Sequence, residues 1–153
     1  MSDANLALQP IGTISTPFRT LEQCPRNGRQ PDPPPLCRVR LRAEQVPGLL
    51  GLEGFSHLIL LYWLGRQRTV KMQFTPHFAT EERGLFATRS PARPNPIGLS
   101  VVAFDGFEAP DTLLVRYLDC LDGTILLDIK PYLASTDAEP EARMGWLDQH
   151  RTR

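Results

Sequence analysis

The sequence predicts a mainly β fold, a single small β-barrel domain with a few short helices, on three observations. Segments rich in β-branched and aromatic residues are short and closely spaced, turn residues separate them, and only one stretch has a helical pattern. Many short strands at close spacing are typical of a closed or nearly closed barrel. We expect the barrel domain to cover residues 6–136 and a C-terminal tail or short helix to cover residues 137–153.

The individual elements follow in chain order. The first half contains predicted strands at 6–14 and 38–42, a helical turn at 43–46 and a buried central strand within the apolar stretch 49–64. The second half contains predicted strands at 70–78, 84–88 and 97–107, and a hairpin that joins 111–120 to 125–129. Asp122 and Gly123 supply the turn signal for that hairpin. The single predicted helix, short and amphipathic, covers residues 140–151.

Length and composition narrow the class of protein. A chain of 153 residues is typical of one domain and long enough to bury a core without disulfides. Its three cysteines are widely spaced and form no CxxC pair, so neither a zinc site nor a disulfide framework is indicated. No secretory leader or membrane-spanning run is visible. We therefore expect a cytoplasmic protein with no membrane association and no metal.

The charge distribution favours an anionic or aromatic ligand near the first two-thirds of the chain. The formal net charge is zero, which argues against a strongly basic nucleic-acid binder. However, residues 19–93 contain twelve Lys or Arg and six Asp or Glu, whereas residues 94–153 contain five and ten. Nearly all the bases are arginine, whose planar fork suits carboxylates and phosphates and stacks on flat rings. A solvated surface with an accidental skew is the alternative.

The proline-rich segment from Ser90 to Pro96 predicts a rigid functional loop. Its three prolines are separated by only one or two residues, and each fixes its own φ and restricts the residue before it. We expect Arg89, Arg93 and Asn95 to project from this stiff loop, because preorganised polar groups lose less entropy on binding. An ordinary proline-rich turn between two strands is the alternative.

A second candidate cluster follows the Asp122-Gly123-Thr124 turn. On a strand, Asp128 and Lys130 share one face because side chains alternate with a period of two, and Tyr132 could continue that face. An acid, an amine and a phenol in a row suit proton handling or ligand orientation. The alternative is a solvent-facing ion pair without function.

Four stretches share an unusual combination of motifs. They are Ile11-Gly12-x-Ile14 followed by Thr16-Pro17-Phe18, then GLEGFSHL at 51–58, GLFATRSPARPNPIGLS at 84–100, and LDGTILLDIKPYL at 121–133. Together they resemble the TsaA-like (TrmO) family of S-adenosylmethionine-dependent tRNA N6-adenosine methyltransferases. The resemblance covers most of residues 10–133 and implies a β-barrel methyltransferase unlike those with a Rossmann fold. It also implies a homodimer with the cofactor near the subunit interface, acting on threonylcarbamoyladenosine at position 37 of tRNA.

The resemblance assigns candidate roles to residues of this sequence. The implied S-adenosylmethionine contacts are Pro25, Arg26, Asn27, Gly65, Arg66, Arg89, Leu118, Asp122, Gly123 and Thr124. The candidates for proton handling are Asp128, Lys130 and Tyr132. Arg93 and Asn95 are the candidates for substrate binding, since arginine pairs strongly with carboxylate and phosphate groups.

Two other functions stay open. The chain could be a methyltransferase of the same fold that acts on a small molecule or on another RNA. It could also be a non-catalytic nucleic-acid-binding barrel, which would use exposed aromatic side chains as stacking platforms. Few aromatic residues lie outside apolar runs, which counts against the binding module.

Overall fold

The computed structural model describes residues 6–65 and 68–150. Eight strands lie within these residues: β1 (Gly12–Ser15), β2 (Cys37–Leu41), β3 (His57–Trp63), β4 (Gln73–Phe74), β5 (Arg83–Gly84), β6 (Ile97–Ala109), β7 (Thr112–Arg116) and β8 (Thr124–Pro131). The helical elements are one short α-helix, α1 (Ala134–Asp137), and 3-10 helices at Leu21–Gln23, Ala43–Leu49, Leu85–Ala87 and Gly145–His150.

Six of the strands close into a barrel in the order β1-β2-β7-β6-β3-β8. This confirms the predicted mainly β fold with a small barrel and short helices. The strands alternate inward and outward side chains, as in β3, where every second residue is buried. The interior is filled by fully buried aliphatic side chains, namely Ile14, Val39, Leu58, Leu60, Val102, Leu113, Val115 and Leu126. The barrel is therefore a packed core and leaves ligand binding to its loops.

The predicted hairpin between residues 111–120 and 125–129 is wrong. β7 pairs with β2 and β6, whereas β8 pairs with β1 and β3. Asp122 and Gly123 do form a turn, in which Thr124 N–H donates to the Leu121 carbonyl at 3.2 Å and Gly123 has φ 83°. However, a turn signal does not specify which strands flank it in space. The actual hairpin joins β6 to β7, with Ala109 opposite Thr112.

Two local predictions are also corrected. Residues 84–88 are not a strand, since Arg83–Gly84 pairs with Gln73–Phe74 and the chain then turns into a 3-10 helix. Thr88 causes this turn, because its N–H and its hydroxyl both donate to the Leu85 carbonyl, at 3.1 Å and 2.7 Å. The predicted helix at 140–151 is reduced to a 3-10 helix at Gly145–His150. The one α-helix among the described residues, α1, lies before it.

The chain divides into two compact units. The first unit contains the described residues up to Trp63 together with Gly98–Tyr132, and it includes the six barrel strands. The second unit contains Leu64–Ile97 and the residues from Leu133 onward, with the β4–β5 pair. Within the second unit, Trp146 stacks on Phe78 with ring centroids 5.7 Å apart and donates from Nε1 to the Ala87 carbonyl at 2.9 Å.

Tyr62 connects three segments inside the first unit. Its ring lies against Gly98 so closely that a Cβ at that position would overlap the ring. Its hydroxyl lies 2.7 Å from Ser100 Oγ and donates to Asp119 Oδ1 at 3.1 Å. Burial, and then the negative charge of Asp119, raise the pKa of Tyr62, so the phenol stays protonated. One side chain thus ties β3 to β6 and to the segment between β7 and β8.

Among residues 6–65 and 68–150, no helix combines the length and the apolar character needed to cross a membrane.

Candidate functional site

A loop at residues 24–30, here called the first loop, is docked on the segment between β7 and β8. Gly28 makes this docking possible, because a Cβ there would overlap the carbonyl oxygen of Tyr117. The Arg29 guanidinium then lies over the Tyr117 ring, 3.8 Å from its centroid. Such a cation–π contact holds the arginine in one position. The first loop is therefore fixed through both its main chain and the Arg29 side chain.

Tyr117 has an unusual backbone conformation. Its φ is 76°, in the left-handed region that non-glycine residues rarely adopt. Such a conformation costs about 1–3 kcal/mol and persists where the surroundings fix it, often at functional sites. The close packing of Gly28 and the stacking of Arg29 supply that fixation. Tyr117 and Arg29 were not among the candidates from sequence, since neither a positive φ nor a long-range stack leaves a local pattern.

The Asp122-Gly123-Thr124 turn is held beside the end of β1. The Asp122 carboxylate accepts from Thr16 N–H at 3.1 Å and pairs with the Arg19 guanidinium at 3.1 Å. The main-chain N–H of Asp122 donates to the Phe18 carbonyl at 2.8 Å. These partners leave an oriented carboxylate next to the exposed Gly123.

The first loop is preorganised by its own hydrogen bonds. Gln30 Oε1 accepts from Arg26 N–H at 2.7 Å, and Asn27 Oδ1 accepts from Arg29 N–H at 2.9 Å. The side chains of Arg26 and Asn27 are exposed and point away from the core. Because the loop is already ordered, a ligand that binds Arg26 and Asn27 loses little affinity to loop ordering.

Leu118 follows Tyr117, and the whole residue, main chain included, is only 1% exposed. It therefore packs in the core of the first unit, beneath the polar groups of the site. The polar groups of the candidate site in the first unit are the guanidinium groups on the first loop, which donate, the Asp122 carboxylate, which accepts, and exposed main chain around Gly123. This set fits a zwitterionic ligand, in which an arginine binds a carboxylate and a carboxylate binds an ammonium or a hydroxyl.

Asp128 and Lys130 share the outer face of the barrel. Their side chains form an ion pair with Nζ 2.9 Å from Oδ2, and both are about half exposed. A β-bulge places them there. Tyr62 is opposite Leu126 and Leu61 is opposite Asp128, so Leu127 is the extra residue and the side chains beyond it face the other way. The predicted common face of Asp128 and Lys130 is confirmed.

Tyr132 is the third residue of the predicted catalytic row, and it lies just after β8. Its N–H donates to the His57 carbonyl at 3.1 Å, and its ring meets the His57 imidazole edge-on with centroids 6.3 Å apart. His57 Nδ1 in turn lies 2.8 Å from Ser56 Oγ. Tyr132 therefore belongs to a small polar cluster with His57 and Ser56, where β8 ends beside the start of β3.

The proline-rich segment, here called the proline loop (residues 88–96), is stiffened from within. Arg93 Nη1 donates to the carbonyls of Thr88 and Ser90, at 2.9 Å and 3.1 Å. We expected Arg93 to project from the loop, but this nitrogen instead donates to carbonyls of the loop itself. Arg89 and Asn95 are exposed, as expected.

A shallow groove of about 200 Å³ lies beside the proline loop in the second unit. It is lined by Gly65, Arg68, Val70, Pro91, Ala92, Arg93 and Pro94. Gly65 is the one implied cofactor contact that lies in it, and its φ of 83° suits a glycine. Arg66, the other implied contact here, lies outside the described residues.

The predicted site residues therefore fall into two sets. Those that belong to the first unit are Pro25, Arg26, Asn27, Leu118, Asp122, Gly123 and Thr124, with Asp128, Lys130 and Tyr132 on β8 and just beyond it. Those in the second unit are Gly65, Arg89, Arg93 and Asn95. The sequence did not predict this division, because a motif does not specify which compact unit a residue belongs to.

Cysteine and metal chemistry find little support in the described residues. Burial raises the pKa of the Cys120 thiol to about 12 and that of Cys37 to about 11, so both are poor nucleophiles near neutral pH. Within residues 6–65 and 68–150, no group of three or more His, Cys, Asp or Glu side chains is placed to hold a metal ion.

Comparison with known proteins identifies relatives along nearly the whole chain. Residues 13–138 match the model of the tRNA-methyltransferase O N-terminal domain. An S-adenosyl-L-methionine-binding protein of Archaeoglobus fulgidus is 42% identical over 132 residues, which are 86% of this chain and 93% of that protein. The human tRNA (adenine(37)-N6)-methyltransferase is 31% identical over 150 residues, which are 90% of this chain but 32% of the human protein.

Solved structures give the same result for the fold. The crystal structure of TrmO from Pseudomonas aeruginosa superimposes with a TM-score of 0.75 at 37% sequence identity. The match covers 92% of this chain and 62% of that one. This chain thus spans about three-fifths of the bacterial structure and about one-third of the human relative.

Replacing Gly28 with alanine should undock the first loop. Overpacking costs about 1–3 kcal/mol, so the open population, and with it tryptic cleavage after Arg26 and Arg29, should rise roughly 5- to 150-fold. Limited trypsinolysis followed by mass spectrometry measures this rate. Gly48→Ala is the matched control, because a Cβ at Gly48 meets nothing within 4 Å. Equal cleavage rates in the two variants would contradict the docking role of Gly28.

Proposed function

Because the chain belongs to the family of the tRNA-methyltransferase O N-terminal domain, we propose that it methylates N6 of threonylcarbamoyladenosine at position 37 of tRNA, with S-adenosylmethionine as the methyl donor. The observation that carries the proposal is the docking of the first loop on Tyr117, in the segment that leads into the Asp122-Gly123-Thr124 turn. That docking joins two segments that are distant in sequence and supports their assignment to one site. The human relative named for adenine-37 methylation supports the choice of substrate.

The cofactor fits the residues of the first unit. S-adenosylmethionine supplies an electrophilic methyl group on a sulfonium, together with an amino-acid end and an adenosine end. We assign its binding to Pro25, Arg26, Asn27 and the Asp122-Gly123-Thr124 turn, with Leu118 as the buried residue that the family resemblance adds to this set. In this assignment Arg26 binds the carboxylate, and Asp122 accepts hydrogen bonds from ammonium or hydroxyl groups. The family resemblance also implies Gly65, Arg66 and Arg89 as contacts, and these stay predictions from the sequence.

The reacting nitrogen requires assistance from the protein. The lone pair of N6 in a carbamoylated adenine is delocalised into the neighbouring carbonyl, so N6 is a poor nucleophile, while its N–H is more acidic. A carboxylate that accepts the N6 proton makes the nitrogen reactive, and Asp128 is the proposed acceptor. Lys130, paired with Asp128 at 2.9 Å, orients that carboxylate. Tyr132 is proposed to donate a hydrogen bond to the carbonyl.

Substrate binding is assigned to Arg93 and Asn95. Arg93 Nη1 holds the proline loop, so this arginine can place its other guanidinium nitrogens without further loss of loop entropy. Asn95 is exposed one residue beyond Pro94 and offers both a donor and an acceptor to an RNA or to the threonyl group.

The chain is proposed to act as a homodimer through the outer face of β6, β3 and β8. Leu99 and Ile125 are 51% and 40% exposed there, beside the half-buried Leu61 and Trp63. An exposed apolar patch of this kind marks an interaction surface.

A charge introduced at Leu99 should disrupt this interface. We expect Leu99→Glu to convert the dimer to a monomer in sedimentation equilibrium. Leu50→Glu is the control, because Leu50 is exposed and lies outside the proposed interface. A wild-type monomer would exclude this interface.

A second candidate function is cofactor binding without RNA methylation, because the archaeal relative is named only for binding S-adenosylmethionine. The two functions are separated by incubating the protein with labelled S-adenosylmethionine and tRNA that either carries or lacks the threonylcarbamoyl group. We expect label only in the threonylcarbamoylated tRNA. Cofactor binding without transfer would favour the second candidate. Transfer to both tRNAs would remove the proposed specificity, and absence of cofactor binding would exclude both functions.

Loss of the proton acceptor should slow the chemical step. Asp128→Asn should reduce the single-turnover methylation rate roughly 10²- to 10⁴-fold, which is the usual contribution of general-base catalysis. Lys130→Ala should reduce it less, because the carboxylate remains. Glu108→Gln is the matched control, since Glu108 forms a similar exposed ion pair with Arg38 at 2.8 Å elsewhere on the barrel. If neither variant at 128 or 130 changed the rate, this assignment would be abandoned.

A further inference from the structure

Phe86 is the most exposed aromatic side chain among the large hydrophobic residues of the described chain, at 72% exposure. It occupies the centre of the 3-10 helix Leu85–Ala87, between a strand and the proline loop. Single exposed apolar side chains are common on protein surfaces, so exposure alone assigns Phe86 no role. The backbone that holds the ring and the charges around it distinguish this position.

The structure holds the residues on both sides of Phe86 firmly. Leu85 is 1% exposed, its N–H donates to the Met72 carbonyl at 2.8 Å, and its own carbonyl accepts from Thr88. On the other side, the Ala87 carbonyl accepts from Trp146 Nε1 at 2.9 Å. These anchors fix the backbone while the ring points outward. The ring is presented to solvent by a rigid segment, as a binding platform requires.

The charges around the ring select the class of occupant. The Arg93 guanidinium lies 5.8 Å from the ring centroid, and Arg89 is exposed three residues beyond Phe86. Residues 84–97 contain these two arginines and no acidic residue. An aromatic ring flanked by arginines is the arrangement that binds unpaired bases, whose flat faces stack while the arginines meet the phosphates.

We propose that Phe86 is a stacking platform for an unpaired base of the RNA substrate. This inference rests on the proposed function and extends it, because it names a residue that holds the RNA loop and is separate from the cofactor set. Arg93 supports one side of the platform and also fixes the proline loop. A second copy of the chain is the competing occupant, and the test includes it.

The test measures RNA affinity in the absence of cofactor. A fluorescent anticodon stem–loop that carries threonylcarbamoyladenosine is titrated with the wild-type chain, Phe86→Leu and Phe86→Tyr. Leucine keeps an apolar side chain but has no π face, so we expect affinity to fall roughly 5- to 150-fold, the loss typical of one stacked base. Tyrosine should retain the wild-type affinity. S-adenosylmethionine affinity should be unchanged in both variants.

Two controls make the result specific. Leu50→Ala removes another exposed apolar side chain, 95% exposed, and should leave RNA affinity unchanged. A blunt RNA duplex without a loop should bind the wild type and Phe86→Leu equally. If Phe86→Leu lost as much affinity for this duplex as for the stem–loop, the ring would not stack on an unpaired base, and the inference would be overturned.

The outcomes separate this inference from the proposed function. If the wild type binds and methylates the RNA while Phe86→Leu retains full affinity, the platform is wrong and the proposed function stands. If the wild type binds S-adenosylmethionine but no RNA, the proposed function fails and the platform fails with it. If Phe86→Leu lowers the sedimentation coefficient of the protein alone, the ring belongs to a contact between copies, which also overturns the inference.

Discussion

The contact between the Tyr62 ring and Gly98 is the constraint on which the first unit depends. Gly98 has no side chain, so β6 can pass directly over the ring. The Tyr62 hydroxyl then reaches Ser100 on β6 and Asp119 on the segment after β7. Because buried polar groups must find partners, this arrangement fixes three segments at once and leaves little freedom in how they meet.

Asp119 transmits this constraint to the candidate site. It lies between the main chain of Leu118 and the Asp122 turn, and it is anchored to the barrel interior through Tyr62. Tyr117, just before it, keeps a left-handed conformation against the first loop. The side chains of the site are therefore mounted on a segment that the core itself holds. Preorganisation at the surface is thus a direct result of packing inside the barrel.

The sequence predicted the features that depend on local patterns. Alternating side chains identified β2, the proline spacing identified a stiff loop, and the strand period placed Asp128 and Lys130 on one face. Strand partners were not predictable in this way, because the turn at Asp122 and Gly123 is compatible with a hairpin and with the observed connection. The choice is made by the barrel, where β8 must close the sheet between β1 and β3.

The candidate site was predicted only as a set of residues. The motifs indicated the first loop and the Asp122 turn, but the contact that joins the loop to the barrel pairs Gly28 with Tyr117, far apart in the chain. No local pattern records such a pair. The exposure of the Phe86 ring was not predictable either, because Phe86 and the buried Leu85 are both apolar and hydropathy does not distinguish them.

The bulge at Leu127 divides β8 into a part whose side chains fill the core and a part whose charged side chains lie outside it. Before it, Leu126 belongs to the interior, where a change of even one methyl group alters stability. Beyond it, Asp128 and Lys130 are outside the core, so substitutions there leave the interior packing intact. One inserted residue is therefore enough to let the chemistry of the outer face change independently of the packing inside the barrel.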